Sequence, residues 1–95
     1  MNCFVLLGTM VSMPHNFTRD ALSYAEFDVK VERNYRNNDG EKVYDVFNVI
    51  LWRGISEITA EKYPVGTTVS IKGRMELRDQ QICLIAERVS FVTQN

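Results

Sequence analysis

The sequence has almost no net charge: 11 basic side chains face 12 acidic ones, giving −1 at pH 7 and a pI of about 5.8. That balance excludes the basic whole-surface footprint of many nucleic-acid binders, so any polyanion site must be local. Cysteine is scarce. Cys3 and Cys83 match no CxxC pair and no metal-ligand spacing, and read as free thiols of a reducing compartment. Histidine is scarcer: His15 stands alone in a predicted loop beside Pro14, with no nucleophile or carboxylate set by sequence to partner it. Phosphate loops, glycine-rich cofactor turns and metal-ligand clusters are also lacking, so the chain is read as a binding protein without catalysis, metal or cofactor. No apolar run approaches the ~18 residues that span a bilayer, which excludes a membrane helix. The apolar start, "MNCFVLLGTM", lacks a basic n-region and a small-residue cleavage site. It is read as a first strand, and the protein is expected in the cytoplasm; without export, the Asn16-Phe17-Thr18 glycosylation pattern carries no meaning.

What is present fits one globular domain over residues 1–95, with 45% apolar and 24% charged residues and no repeat, linker or low-complexity tract. Cys3 to Val11 is short, apolar and β-prone, ended by Met13-Pro14-His15-Asn16 as a loop. From Tyr24 to Tyr35, Phe27, Val29 and Val31 alternate with Glu26, Asp28, Lys30 and Glu32, the period-2 pattern of a half-buried strand. "NYRNNDGEKVYD" supplies turn residues that tolerate positive φ, and a third strand follows from Tyr44 to Arg53. After Gly54, Ile55, Ile58 and Tyr63 suggest a short helix to about Lys62. Val69 to Arg78 alternates again, with a bend or bulge expected at Gly73. Asp79-Gln80 makes a tight turn into a fifth strand, Ile82 to Val92.

Three strands, a helix and two strands form the plan of the OB-fold, an all-β, five-stranded Greek-key barrel that binds oligonucleotides across its middle strands. Beyond that plan, "NVILWRGISE", "VSIKGRMELR" and "FVLLGTMVSMP" resemble the corresponding segments of the bacterial and phage single-stranded DNA-binding protein family. The resemblance runs in order over nearly the whole chain. It implies a homo-oligomer, a tetramer or a dimer, that wraps single-stranded DNA without sequence preference in replication, recombination and repair. It also implies that Trp52 and Tyr35 stack bases and that Arg78 meets backbone phosphate. There are departures: Cys3 and Val65 replace lysines common in relatives, and Val46 stands where an aromatic often stacks. The loop between strands four and five is reduced to Asp79-Gln80, and no acidic, Phe-ended tail follows Asn95. The missing tail and the short loop favour the main alternative, a primosomal accessory protein of the same family that contacts single-stranded DNA and replication proteins, whereas the "VILWRG" and "IKGRM" matches favour the parent. A second alternative is an OB-fold interaction module without nucleic acid.

Single-stranded nucleic acid needs a positive groove for phosphates and aromatic faces for bases on one surface. Period 2 places Val46, Asn48, Ile50 and Trp52 on one face of strand three, with Phe47, Val49 and Leu51 on the core face. Trp52 then points outward, to a base or to a neighbouring subunit, and Asn48 joins it as a candidate contact. Lys72, Arg74 and Arg78 share a face of strand four. With Arg33, Arg36 and Arg53 they make up the expected local basic track. Glu26, Asp28, Glu32 and Glu76 border it, and Lys30 is a weaker candidate because acids flank it.

Overall fold

The computed structural model describes residues 1–19, 22–52 and 63–92, and only the backbone of Arg19, Leu22 and Ser23. Its strands are β1 (Phe4–Met10), β2 (His15–Arg19), β3 (Leu22–Arg36), β4 (Lys42–Leu51), β5 (Thr68–Arg78) and β6 (Gln81–Val92). They are hydrogen-bonded in the order β1-β5-β6-β4-β3-β2, and β1 also pairs with β3. That extra pairing, Thr9 opposite Lys30 and Met10 opposite Val29, closes β1, β5, β6, β4 and β3 into a ring. All pairings are antiparallel except β4 with β6, where Val49 faces Leu84 and Ile50 faces Ile85. This is the Greek-key barrel of the OB-fold expected from the strand plan.

Alternation decides what fills it. Met10, Ala25, Phe27, Val29, Val49, Leu51, Val69, Ile71 and Ala86 are buried together, each the inward member of a strand whose next residue faces out. Tyr63 stacks on Phe91 with ring centroids 3.9 Å apart and covers part of this core. Burying a side chain such as Phe27 contributes roughly 1.5–3 kcal/mol.

Two turns set the register of the ribbons. Between β3 and β4, Asn37 Oδ1 accepts from the backbone N–H groups of Asp39 and Glu41 at 3.0 and 2.9 Å, and Gly40 takes φ 77°. Between β5 and β6, Asp79 and Gln80 adopt φ 52° and 66°, the two-residue turn whose twist matches a hairpin. The expected irregularity at Gly73 is a bulge: the β5–β6 register shifts between Lys72 and Gly73. A Cβ there would drive into the carbonyl oxygen of Ile85, so only glycine lets the strands close.

One expectation is corrected. The loop predicted after β1 is interrupted by β2, an edge strand paired along β3 from His15 opposite Glu26 to Arg19 opposite Leu22. Pro14, which has no N–H to give a ladder, stands just before it. Five residues are too few for period 2 to stand out in sequence. The helix expected from Ile55 to about Lys62, and Arg53, lie outside the described residues.

Candidate nucleic-acid interface

Trp52 follows Leu51, which is 1% exposed in the core, so alternation turns the indole outward, where it is 41% exposed. Ala25 pairs with Leu51 and is buried. Tyr24, one step beyond it, therefore faces out at the same end of the β3–β4 ribbon. Phe17 pairs with Tyr24, and their rings stack with centroids 5.6 Å apart. The Arg78 guanidinium lies over the Tyr24 ring, 5.7 Å from its centroid. Thus the tip of the β5–β6 arm rests against the β2–β3 hairpin, bringing Arg78 and Trp52 to one end of the barrel. Of the other outward residues of β4, Val46 is exposed, whereas Ile50 is only 7% exposed.

The arginines expected to form a basic track are largely partnered. Glu76 accepts from Arg74 Nε at 2.7 Å and from Arg78 Nη2 at 3.0 Å, and Arg74 also reaches Glu87 at 3.5 Å. Hydrogen bonds from Arg78, then from Arg74, hold the Glu76 carboxyl below the usual range. Arg33 grips Asp45 through two hydrogen bonds, 2.8 and 2.7 Å, which likewise depress the Asp45 carboxyl. Arg33 also donates to the Tyr35 hydroxyl at 2.7 Å. Arg36 donates to the Gly40 carbonyl at 3.0 Å, inside the β3–β4 turn. Asn48 donates to Asp28 Oδ1 at 3.1 Å. Lys72 is exposed on the outward face of β5, opposite Arg88 of β6.

The acids expected beside this surface are there. Glu26 lies 3.2 Å from His15, and Glu32 lies 3.4 Å from Lys42. Lys30 stands over the Tyr44 ring, 4.2 Å from its centroid.

The expected contacts therefore fall into separate groups. Trp52 and Arg78, with Arg74, lie at one end of the barrel. Tyr35, Arg33 and Arg36 lie at the far end of the β3–β4 ribbon, and Tyr35 is 59% exposed. From Trp52 to that end is about ten residues of β4, roughly 30 Å at ~3.3 Å per residue. One base cannot touch both rings; a strand several nucleotides long can. Sequence reasoning passed over Phe17, Tyr24 and Arg88. Tyr24 could have been found by extending the period-2 pattern to its first residue, but its neighbours across the sheet depend on register.

No group of three or more His, Cys, Asp and Glu side chains among the described residues is placed to hold a metal ion. No helix among them is long and apolar enough to cross a membrane.

A closed OB barrel bearing outward aromatics and arginines belongs to a class of oligonucleotide-binding folds. Within that class, residues 1–88 match the model of the single-strand binding protein family, and the chain belongs to that family. A single-stranded DNA-binding protein of Streptococcus mutans is 32% identical over 82 residues, covering 85% of this chain and 50% of the relative. A single-stranded DNA-binding protein of Streptococcus pyogenes is 29% identical, with 63% of its own length covered. The chain thus spans between half and two-thirds of the length of these curated relatives. Among solved structures, the dimeric N-terminal domain of the PriB protein of Thermoanaerobacter tencongensis superposes with TM-score 0.73 at 18% identity, covering 98% of each chain. A mitochondrial single-stranded DNA-binding protein of S. cerevisiae superposes with TM-score 0.80 at 10% identity, covering 99% of this chain and 96% of the other.

Proposed function

We propose that this protein binds single-stranded DNA without sequence preference, as an oligomer, in replication, recombination and repair. One observation carries the reading: in a chain of this family, Trp52 stands outward and 41% exposed, with the Arg78 guanidinium at the same end of the barrel. Bases stack on Trp52 at one end and on Tyr35 at the other. Lys72, Arg74, Arg78, Arg33, Arg36 and Arg53 neutralise phosphates, and Asn48 offers its amide to the strand. The protein acts as a binding surface and not as a catalyst, in the cytoplasm, as a dimer or tetramer.

The likeness to the PriB domain, which covers 98% of both chains, together with the two-residue β5–β6 turn, favours a second reading. In it the protein is a primosomal accessory that contacts single-stranded DNA and replication proteins with the same barrel.

Trp52 is the chain's only tryptophan, so its fluorescence reports this surface alone. Titration with oligo-dT quenches it, duplex DNA does so less, and added salt weakens the effect. Trp52→Ala, followed by retention on a single-stranded DNA column, loses about 1–3 kcal/mol of binding. Unchanged emission together with no retention of the wild type rules the reading out. Unchanged affinity in the variant makes Trp52 a subunit-packing residue.

A further inference from the structure

The β5–β6 arm leaves the barrel after Gly73, which pairs with Phe4 at the start of β1. Past that point the side of β5 that faced β1 turns into a sheet edge, with backbone groups to satisfy. Asn2 meets them. Its side-chain Nδ2 donates to the Met75 carbonyl at 2.6 Å, and its Oδ1 accepts from the Met75 backbone N–H at 2.9 Å. We propose that Asn2 is a positioning residue for strand binding: it clamps the base of the arm and so sets where Arg74 and Arg78 stand relative to Trp52. The inference rests on the function proposed above and adds to it a residue that itself touches no DNA.

Register and side-chain chemistry explain why an amide does this. Continuing the β1–β5 register two steps past Phe4 and Gly73 brings Asn2 opposite Met75. Alternation puts Asn2 in the same row as Leu6 and Phe4, which pack against the core. A side-chain amide carries the donor and the acceptor of a peptide unit, so Asn2 reproduces one step of the ladder where β1 itself has ended. Phe4, two residues along, is already anchored, which leaves Asn2 little freedom to lose when the clamp closes. An ionised aspartate in its place could accept but not donate.

The clamp matters because the arm has few other ties. Among the described residues, β6 pairs with β4 only at Leu84 and Ile85, and near the tip Arg78 lies over the Tyr24 ring. The carboxylates that hold Arg74 and Arg78, Glu76 and Glu87, belong to the arm itself, so both guanidiniums move with it. The bulge between Lys72 and Gly73 is where such a ribbon bends. Arg78 lies five residues beyond Gly73, roughly 16 Å at ~3.3 Å per residue. A tilt of ~10° at the bulge therefore displaces Arg78 by about 3 Å, as much as the length of the hydrogen bond it would make to a phosphate.

Asn2→Ala, made in the full chain, removes both bonds. Hydrogen exchange of the Met75 backbone amide then speeds up, and oligo-dT affinity measured through Trp52 falls about fivefold. In an Arg74→Gln/Arg78→Gln protein the same substitution costs no further affinity, a coupling that a merely stabilising residue would not show. Asn2→Asp keeps the size of the side chain but sets a carboxylate oxygen against the Met75 carbonyl; it loses affinity in the same way and repeats the test should the alanine variant fold poorly. Unchanged Met75 exchange in Asn2→Ala overturns the proposal, as does unchanged affinity in both variants. Equal losses with and without the two arginines overturn it too, because Asn2 would then act on the barrel as a whole. A wild type that binds no oligo-dT removes the function proposed above and this role with it, while Met75 exchange still reports the clamp.

Discussion

Glu76 competes with phosphate for two guanidiniums, and removing its charge tests whether Arg74 and Arg78 reach DNA. Glu76 holds Arg74 at 2.7 Å and Arg78 at 3.0 Å. Glu76→Gln keeps the side chain's size and releases both cations. For single strands each neutralised phosphate adds about 0.7 to the slope of log affinity against log salt. Two released arginines therefore steepen that slope by about 1.4, and between ~50 and ~200 mM salt the affinity falls roughly sevenfold further than in the wild type. The assay is oligo-dT titration of Trp52 fluorescence across a salt series, with both proteins side by side. An unchanged slope, in a variant that melts like the wild type, refutes phosphate contact by these arginines. Weaker binding at every salt concentration refutes competition, because Glu76 would then be holding the arginines in the geometry that DNA needs.

Other substitutions test the barrel itself. Gly73→Ala sets a methyl against the Ile85 carbonyl oxygen and 2.9 Å from the Phe4 ring; it lowers stability by about 1–3 kcal/mol in denaturant melts. Gln80→Gly relieves a φ of 66° and raises stability by up to ~1 kcal/mol, net of glycine's entropy, with oligo-dT affinity unchanged. Asp45 has a folded pKa below its ordinary 3.8, so its contribution to stability is full above that value and is lost as pH falls through the lower folded one. Wild type and Asp45→Asn therefore converge in melting temperature under acid, and a constant gap contradicts the pairing with Arg33.

Local pattern made the barrel strands legible. Phe27-Val29-Val31 and Val69-Ile71 alternate with polar partners, Val49-Leu51 with Asn48, Ile50 and Trp52, and each triplet or pair faces the core or its rim. Gly73 announced a bulge through backbone freedom that other residues lack, and Asp79-Gln80 a turn through its place between two alternating runs. The outward direction of Trp52 followed from the same parity. Illegible were features that arise between distant segments. Glu76 was legible as an acid bordering Arg74 and Arg78, but not that its one carboxylate spans both. Asp45 sits 12 positions from Arg33, and only the register of β3 on β4 makes them neighbours. Phe17 and Tyr24 become a ring pair only once β2 exists, and β2 is an edge strand too short to declare itself.

A chain of net charge −1 can still hold a polyanion when its cations are loosely engaged. Arg33, Arg74 and Arg78 hold carboxylates at the surface, where water already screens the charges and such pairs contribute little to the fold. Exchanging Asp45 or Glu76 for a phosphate therefore sacrifices little stability. The displaced carboxylate then stands beside the DNA and repels it, so each contact yields less than an unpaired cation would. Stacking needs no counter-charge, and on this surface it must carry the larger share of affinity. Trp52→Ala should accordingly weaken oligo-dT binding more than Arg78→Ala or Lys72→Ala. The gap should widen as salt rises, because salt erodes the ionic share and leaves stacking in place. If either cation outweighs Trp52 at high salt, phosphate contacts and not bases hold the strand, and the aromatic faces are left to contacts between subunits.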